Sequence, residues 1–351
     1  MYNKLQKDVI IMEEYVGFFR WRMPRKKSTL ILNGMAAKFH GLKMVFFTPK
    51  GIDMENDKVT GITLVEDAFK EVTVRIPRII NNSPYKHDGG VIHDYLEKHA
   101  HLMYKPFGGK MKEYRHFQKE GTLKDILIPS TRIKNIEHVR RFLEDNNKAV
   151  FKPLYGDKGK RIFSLELSDH DYIFEDGIKS YKIPDFKEFY RDNIRKKRLL
   201  MTKYIHSKTS KEHPFDIRIT FEKNDKGRWI VSQQYARIGL NDSLTSNLAT
   251  GGATVSYVKF VKGEYGKEKR AYINKQRKRI IRHLPEVVER MVDFEINSIG
   301  ADLGIDSDGK LYMFEVNSYP GISRAVGQSA IYRAGYMSYY LKNIVGSKVI
   351  S

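Results

Sequence analysis

The stretch that decides the fold is SIGADLGIDSDGKLYMFEVNSYPG, residues 298–321. Residues 299–305 and 310–316 are apolar runs of strand length, and the DSDG tetrad between them has the chemistry of a tight turn. The stretch therefore predicts a β-hairpin. Because residues two apart in a strand point to the same side, we expect Glu315 and Asn317 to share one face of the second strand.

Three oxygen-bearing side chains of this hairpin are candidate metal ligands, namely Asp302, Glu315 and Asn317. If Asp302 faces the same side as the other two, the three oxygens converge, and such oxygens suit Mg²⁺, or Mn²⁺ in its place. The alternative is that both carboxylates are ordinary solvent-facing residues. Against it, Glu315 and Asn317 interrupt an apolar strand, where an unpaired carboxylate is costly to bury. We therefore predict a metal site here.

The hairpin also resembles the C-terminal signature of ATP-grasp enzymes. Asp302 on one strand, Glu315-x-Asn317 on the next and Pro320-Gly321 after it are similar to that signature in type, order and spacing. The resemblance runs from about residue 30 to the end of the sequence.

Within the superfamily, FDIR at 215–218 and SNLATGG at 246–252 resemble the spore coat-associated YheC/YheD-like branch. The resemblance implies a mixed α/β (α+β) ATP-grasp fold, in which two α/β lobes hold Mg-ATP behind a small Rossmann-like N-terminal domain.

The sequence suggests the following division of the chain. Residues 1–27 form an N-terminal arm or an edge strand, and residues 28–104 form the N-terminal α/β domain. Residues 105–351 form the ATP-grasp domain, with the first lobe at 105–200 and the second lobe at 201–351.

Two local patterns refine this division. The apolar run 29–32 precedes a short, glycine-containing helical stretch, and no G-x-G-x-x-G follows a strand, so dinucleotide binding has no support. Residues 267–283 and 285–297 are predicted to be two helices, because Pro285 fits a first helical turn better than a helix interior.

A second segment has the chemistry of a phosphate-binding loop. A predicted strand ends at Lys152, Gly156 and Gly159 let backbone amides approach an anion, and Lys158 adds positive charge. Two glycines also occur in ordinary hairpins, and this is not a Walker loop. The segment does resemble the strand lysine and glycine loop of ATP-grasp enzymes. By that resemblance Lys152 contacts the nucleotide, and the loop closes over its β- and γ-phosphates.

The resemblance also assigns the remaining nucleotide contacts. Residues 199–205 become the hinge strand, whose backbone pairs with adenine, and the contact candidates on it are Met201, Lys203, Tyr204 and Ile205.

Arg218 and Arg237 are predicted to face the phosphates, since the planar guanidinium fork binds two phosphate oxygens at once. The alternative is a pair of surface arginines. By resemblance, Asn247 and the Gly251-Gly252 pair approach the triphosphate and the reacting carboxylate. Arg324 is a candidate clamp for a substrate carboxylate.

Composition limits the classes of function. The formal net charge is +21, and basic residues concentrate at 191–198 and 267–282. An anionic substrate or acidic polymer, nucleic acid, or simply a solvated helix face would each account for this charge. We do not expect nucleic acid, because only Tyr272 interleaves the longer basic run. The absence of cysteine excludes disulfides, thiolate nucleophiles and cysteine-ligated zinc. No apolar run has the length of a membrane span, so a cytoplasmic location is expected, and the resemblance adds spore association.

The resemblance implies an ATP-dependent, ADP-forming carboxylate–amine (or thiol) ligase that acts through an acyl phosphate. Its partners would be ATP and carboxylate and amine substrates, including anionic or peptide-like ones, and no oligomeric state is predicted. Two alternatives remain open. One is a non-catalytic, nucleotide-binding or scaffolding spore protein, and the other is a kinase-like enzyme that stops at phosphorylation.

Overall fold

A computed structural model describes residues 14–84, 90–154, 162–239, 252–321 and 326–345. The described residues form three β-sheets, flanked by eight α-helices. None of these helices is both long and apolar enough to cross a membrane.

The N-terminal sheet has seven strands in the order β3-β4-β2-β1-β6-β7, with β5 paired to β4. β1 pairs in parallel with β2 and β6, and β6 pairs in parallel with β7, whereas β3, β4 and β5 join antiparallel. The sheet is therefore mixed, and a Rossmann-like domain stays a prediction. Its elements are β1 (Tyr15–Phe19), α1 (Lys27–Phe39), β2 (Lys43–Phe47), β3 (Ile52–Asp53), β4 (Lys58–Val65), β5 (Ala68–Arg75), β6 (Ile79–Asn81), α2 (Val91–His99) and β7 (His101–Leu102).

Two expectations for this region are wrong. β1 is an interior strand, not an arm or an edge strand, because Val16, Phe18 and Phe19 are buried between β2 and β6. A boundary at residue 27 would thus separate a strand from its own sheet. Residues 29–32 are helical, because α1 runs unbroken from Lys27 to Phe39. A four-residue apolar run cannot by itself distinguish a helix from a strand.

The next sheet has six antiparallel strands in the order β12-β11-β10-β9-β13-β8. Two of its three helices begin where a short polar side chain caps free N–H groups: Asn135 accepts from His138 N, and Asp185 accepts from Lys187 N and Glu188 N. The elements are α3 (Lys110–Glu120), β8 (Ser130–Arg132), α4 (Ile136–Asn146), β9 (Lys148–Pro153), β10 (Phe163–Ser168), β11 (Asp171–Glu175), β12 (Ser180–Lys182), α5 (Phe186–Asn193) and β13 (Leu199–Lys203).

The last sheet has five antiparallel strands in the order β16-β15-β14-β17-β18. Its final helix, α8, packs on α1 of the N-terminal sheet, so the end of the described chain returns to its beginning. The elements are β14 (Phe215–Lys223), β15 (Trp229–Ile238), β16 (Ala253–Ser256), α6 (Tyr257–Glu264), α7 (Lys267–Glu289), β17 (Ser298–Ile305), β18 (Leu311–Asn317), α8 (Val326–Tyr340) and a π-helical turn (Leu341–Val345).

The predicted hairpin of residues 298–317 is confirmed as β17 and β18, but the predicted helix break at Pro285 is wrong. α7 continues through Pro285 to Glu289. An interior proline costs a helix about 3 kcal/mol. Leu284, Val287 and Val288 around it are fully buried in the core, and the burial of three such side chains outweighs that cost.

Candidate functional site

The β17–β18 hairpin places the three predicted metal ligands on one face. Asp302 lies directly opposite Glu315, and Gly300 lies opposite Asn317. Pairs that are directly opposite in an antiparallel ladder share a face, and Asn317 is two residues beyond Glu315. The three side chains therefore project to the same side of the sheet.

A β-bulge at Phe314 produces this arrangement. The register shifts so that Leu303 pairs with Met313 while the adjacent Asp302 pairs with Glu315, which leaves Phe314 as the extra residue. Without the shift Met313 and Glu315, two apart, would share a face. With it, Met313 packs in the core and Glu315 turns to the opposite side.

Asp302 is buried and accepts hydrogen bonds from two arginines. Arg218 donates two hydrogen bonds to this carboxylate, from Nε to Oδ1 at 2.5 Å and from Nη2 to Oδ2 at 2.9 Å. Arg237 Nη2 lies 2.9 Å from Oδ1, and Asn317 Nδ2 donates to Oδ2 at 3.3 Å. Burial alone would raise the pKa of Asp302, but the two guanidinium groups outweigh it and hold this pKa below its ordinary value.

Asp216 is a site residue that the sequence reasoning missed. Arg237 donates to it through Nε at 2.6 Å and Nη2 at 2.7 Å, so Arg237 bridges the carboxylates of Asp216 and Asp302. These carboxylates outweigh burial and raise the pKa of Arg237. The available signal was position, because Asp216 and Arg218 are two apart in a strand and thus share a face.

The two predicted phosphate-binding arginines therefore contact carboxylates in this structure. Arg218 and Arg237 do lie together, next to the predicted metal ligands, as expected. Among the described residues, though, their partners are Asp302 and Asp216.

The donor set can be tested for its fit to a divalent cation. The described residues hold no group of three or more His, Cys, Asp or Glu that could bind a metal, so a site here needs an amide oxygen such as that of Asn317. Asp302, Glu315 and Asn317 supply hard oxygens on one face, and the Glu315 side chain is 41% exposed. The chemistry of the set fits Mg²⁺, with Asp302 shared between the cation and the arginines.

The first lobe contributes two lysines to a cleft that it forms with the β17–β18 hairpin. Lys152 of β9 and Lys110 of α3 line a cleft whose opposite wall is β18, and Lys110 Nζ lies 3.8 Å from Glu315 Oε1. Burial, with Lys110 nearby, lowers the pKa of Lys152 to about 8. Burial, with Glu315 nearby, raises the pKa of Glu113 on α3 to about 7. No local motif in the sequence identifies Lys110 or Glu113 as site residues.

Successive side chains of the hinge strand β13 point to opposite faces. Leu200 and Thr202 line the cleft, whereas the candidate Met201 has its side chain fully buried in the core of the first lobe. Only the backbone of Met201 is therefore available to a ligand in the cleft, and its contact with adenine stays a prediction.

The remaining hinge candidates are partly engaged within the protein. Lys203 N donates to Pro129 O and Tyr204 N donates to Lys148 O, so adenine pairing by these amides would compete with existing bonds. Ile205 follows directly, and its carbonyl accepts from Ser207 N. The predicted site residues Gly156, Lys158, Gly159 and Asn247 lie outside the described residues, as do Gly251 and Arg324.

Comparisons with known proteins show which proteins this chain is similar to. Endospore coat-associated protein YheC of Bacillus subtilis (strain 168) is 19% identical over 297 residues, which cover 80% of this chain and 81% of YheC. Endospore coat-associated protein YheD of the same organism is 23% identical over 288 residues, which cover 78% of this chain but only 63% of YheD.

Solved structures show the same mixed α/β ATP-grasp fold. D-cycloserine synthetase DcsG aligns with a TM-score of 0.55 at 11% identity, over 93% of this chain and 99% of that one. N5-carboxyaminoimidazole synthetase from Staphylococcus aureus, complexed with ADP, aligns with a TM-score of 0.52 at 12% identity, over 92% and 77%. A family model described as YheC/D like ATP-grasp matches residues 99–342, and the chain therefore belongs to the YheC/D-like ATP-grasp family.

Proposed function

We propose that this protein is an ATP-dependent, ADP-forming ligase that joins a carboxylate to an amine, or to a thiol, through an acyl phosphate. The observation that carries the proposal is the cleft between the lobes. Lys110 and Lys152 on one wall face Glu315 on the other, and the bulged hairpin holds Asp302 and Asn317 on the same face as Glu315. Cations and metal-binding oxygens on opposite walls suit a nucleotide triphosphate with Mg²⁺.

The chain's residues would divide the work as follows. Asp302, Glu315 and Asn317 would hold Mg²⁺, which supplies charge neutralisation on the phosphates when bound. Lys152 would contact phosphate, and an arriving anion would offset the burial that lowers its pKa to about 8. Arg218 and Arg237, already held beside Asp302, would offset the charge that develops during phosphoryl transfer.

A non-catalytic, nucleotide-binding spore coat-associated protein is the second candidate. The observation that favours it is that both oxygens of Asp302 are engaged by guanidinium groups. The names of YheC and YheD agree with a spore association, which we propose for this chain together with a cytoplasmic location.

A screen for ADP release with mass detection of the product separates these functions. Amino acids, peptides and cell-wall precursors are supplied with Mg-ATP to the wild type, to Glu315→Gln and to the exposed-surface control Glu71→Gln. A ligase gives substrate-dependent ADP release and a condensed product with the wild type and the control only. A kinase-like enzyme gives ADP without a condensed product. Nucleotide binding without any ADP release would favour the non-catalytic candidate.

A further inference from the structure

The N-terminal sheet has a crevice that none of the residues discussed so far occupies. The chain leaves β1 through α1 to reach β2 on one side, while β6 pairs with β1 on the other side. The strand order therefore reverses between β1 and β6. In open α/β sheets such a switch point, at the carboxyl ends of the parallel strands, is a usual place for a ligand.

Arg20, the first residue after β1, lies in this crevice. Its Nη1 donates to the carbonyls of Phe19 and Asn81, both at 2.7 Å, and its Nη2 donates to Asn81 Oδ1 at 2.9 Å. The guanidinium carbon lies 3.6 Å from the centre of the Phe18 ring. All of these partners are neutral.

No anionic side chain among the described residues pairs with Arg20. Desolvation lowers the pKa of Arg20, opposed by the nearby Tyr319 and Tyr104 hydroxyls. A guanidinium nevertheless stays protonated in proteins. Arg20 is half-buried, and a cation that loses much of its water without gaining an anion is costly, so such a charge is normally paired or binds a ligand. Arg20 keeps Nε and one Nη2 hydrogen for a further acceptor.

The neighbours of Arg20 add unused donors. Tyr104 is fully buried and packs edge-on against Tyr319 with ring centres 4.7 Å apart, and its hydroxyl has no hydrogen-bond partner among the described residues. The Arg333 guanidinium carbon lies 5.2 Å from the Tyr104 ring, and within the same described part of the chain its Nη2 has no partner either. Arg333 is balanced by Glu222 at 2.7 Å, so the net charge of the cluster is that of Arg20.

The cluster adjoins the candidate nucleotide cleft. Tyr319 is two residues beyond Asn317, the last residue of β18, and it contacts Tyr104 from the second lobe. A molecule bound at Arg20 would therefore lie between the N-terminal sheet and the metal hairpin. This is where a substrate must lie if its other end is to reach the phosphates.

We propose that Arg20 binds a carboxylate of the substrate, and that this carboxylate is not the one that reacts. The inference rests on the proposed ligase function. A carboxylate that attacks a phosphorus atom needs its oxygen lone pairs free, and a bidentate guanidinium would withdraw them. An ion pair with the non-reacting carboxylate instead orients the substrate and leaves the reacting carboxylate free. The substrate class that fits is an amino acid or peptide with a free carboxylate.

The first test measures anion binding without turnover. Thermal unfolding is followed with millimolar succinate, N-acetylglycine or inorganic phosphate, against sodium chloride at equal ionic strength. The variants are Arg20→Met, Arg20→Lys, which keeps the charge but not the planar fork, and Arg22→Gln, which removes an exposed charge two residues away. We expect a carboxylate to stabilise the wild type and Arg22→Gln, to stabilise Arg20→Lys less, and not to stabilise Arg20→Met.

An equal carboxylate-induced shift in Arg20→Lys and the wild type would overturn the proposal, as would no shift in any protein. Should Arg20→Met fail to fold, Arg20→Lys decides alone. A shift with phosphate only would also overturn it, since the site would then serve a different anion.

The second test uses turnover. With a substrate from the ADP-release screen, Arg20→Lys should raise KM about 10- to 100-fold, as loss of a charged hydrogen-bond pair does, while KM for ATP is unchanged. The wild type and Arg20→Lys should use the amide of that substrate, in which the distal carboxylate is blocked, equally well. A purely structural role would slow both substrates alike. If Mg-ATP gives no turnover but the Arg20-dependent anion shift is present, the ligase proposal fails while the anion site stands.

Discussion

Replacing Asp302 by asparagine should cost stability and turnover together, whereas replacing Glu315 by glutamine should cost turnover alone. The Asp302 carboxylate is buried and balances Arg218 and part of Arg237. Removing one partner of a buried ion pair costs about 3–5 kcal/mol. Because Arg237 keeps Asp216, only Arg218 loses its carboxylate, so we expect about 3 kcal/mol, or a fall in Tm of about 4 °C.

The assay is thermal and urea unfolding of Asp302→Asn, Glu315→Gln and the exposed control Asp67→Asn. Glu315→Gln should change the free energy of unfolding by less than about 1 kcal/mol, because its side chain is 41% exposed and its ion pair with Lys110, at 3.8 Å, is long and open to solvent. Adding Arg218→Met to Asp302→Asn should recover stability, since the unpaired cation is then gone.

Acid unfolding provides an independent check of the same residue. The pKa of Asp302 is lower in the folded chain than its ordinary value of 3.8, so its contribution is complete above that pH and is lost as pH falls through the folded pKa. The stability difference between the wild type and Asp302→Asn should therefore shrink on acidification. If Asp302→Asn is as stable as the wild type at neutral pH, the buried ion-pair network is not what the distances imply.

Three further predictions concern the cleft and the surface. Mg-ATP should raise the Tm of the wild type and of the exposed control Lys70→Ala, and it should raise the Tm of Lys152→Ala much less. Equal shifts in the three proteins would exclude Lys152 as a nucleotide contact. The pKa of Glu113 is raised from 4.5 to about 7, so ionisation of Glu113 lowers the stability of the folded chain as the pH rises through that range. Urea unfolding should therefore show Glu113→Gln to be more stable than the wild type at pH above about 7. On the basic helix α7, Arg277 donates to Gln234 and Arg279 pairs with Asp125, so a docking face for an anionic substrate must use the other, exposed cations of the helix. Neutralising those cations should raise KM for that substrate and make this KM less dependent on salt, and it should leave the affinity for ATP unchanged. The exposed cations of α7 are Lys267, Lys269, Lys275, Lys278 and Arg282.

Local chemistry determined much of the hairpin that carries the candidate site. The DSDG turn and the two apolar runs fixed β17 and β18, because turn residues and alternation act within a few positions of each other. The spacing of Asp302, Glu315 and Asn317 was enough to show a resemblance to the ATP-grasp signature, and the match to the family model agrees with that resemblance.

Tertiary structure decided what depends on contacts between distant segments. The bulge at Phe314 turns Glu315 from the core to the cleft, and such a shift is set by how two strands pair, not by either strand alone. Asp216 meets Arg237, 21 residues later, and Asp302 meets Arg218, 84 residues earlier, so no local pattern showed that the arginines hold carboxylates. The interior position of β1 and the unbroken α7 follow from burial against the rest of the core. Periodicity reports which face of a segment is apolar, but only packing determines what that face meets.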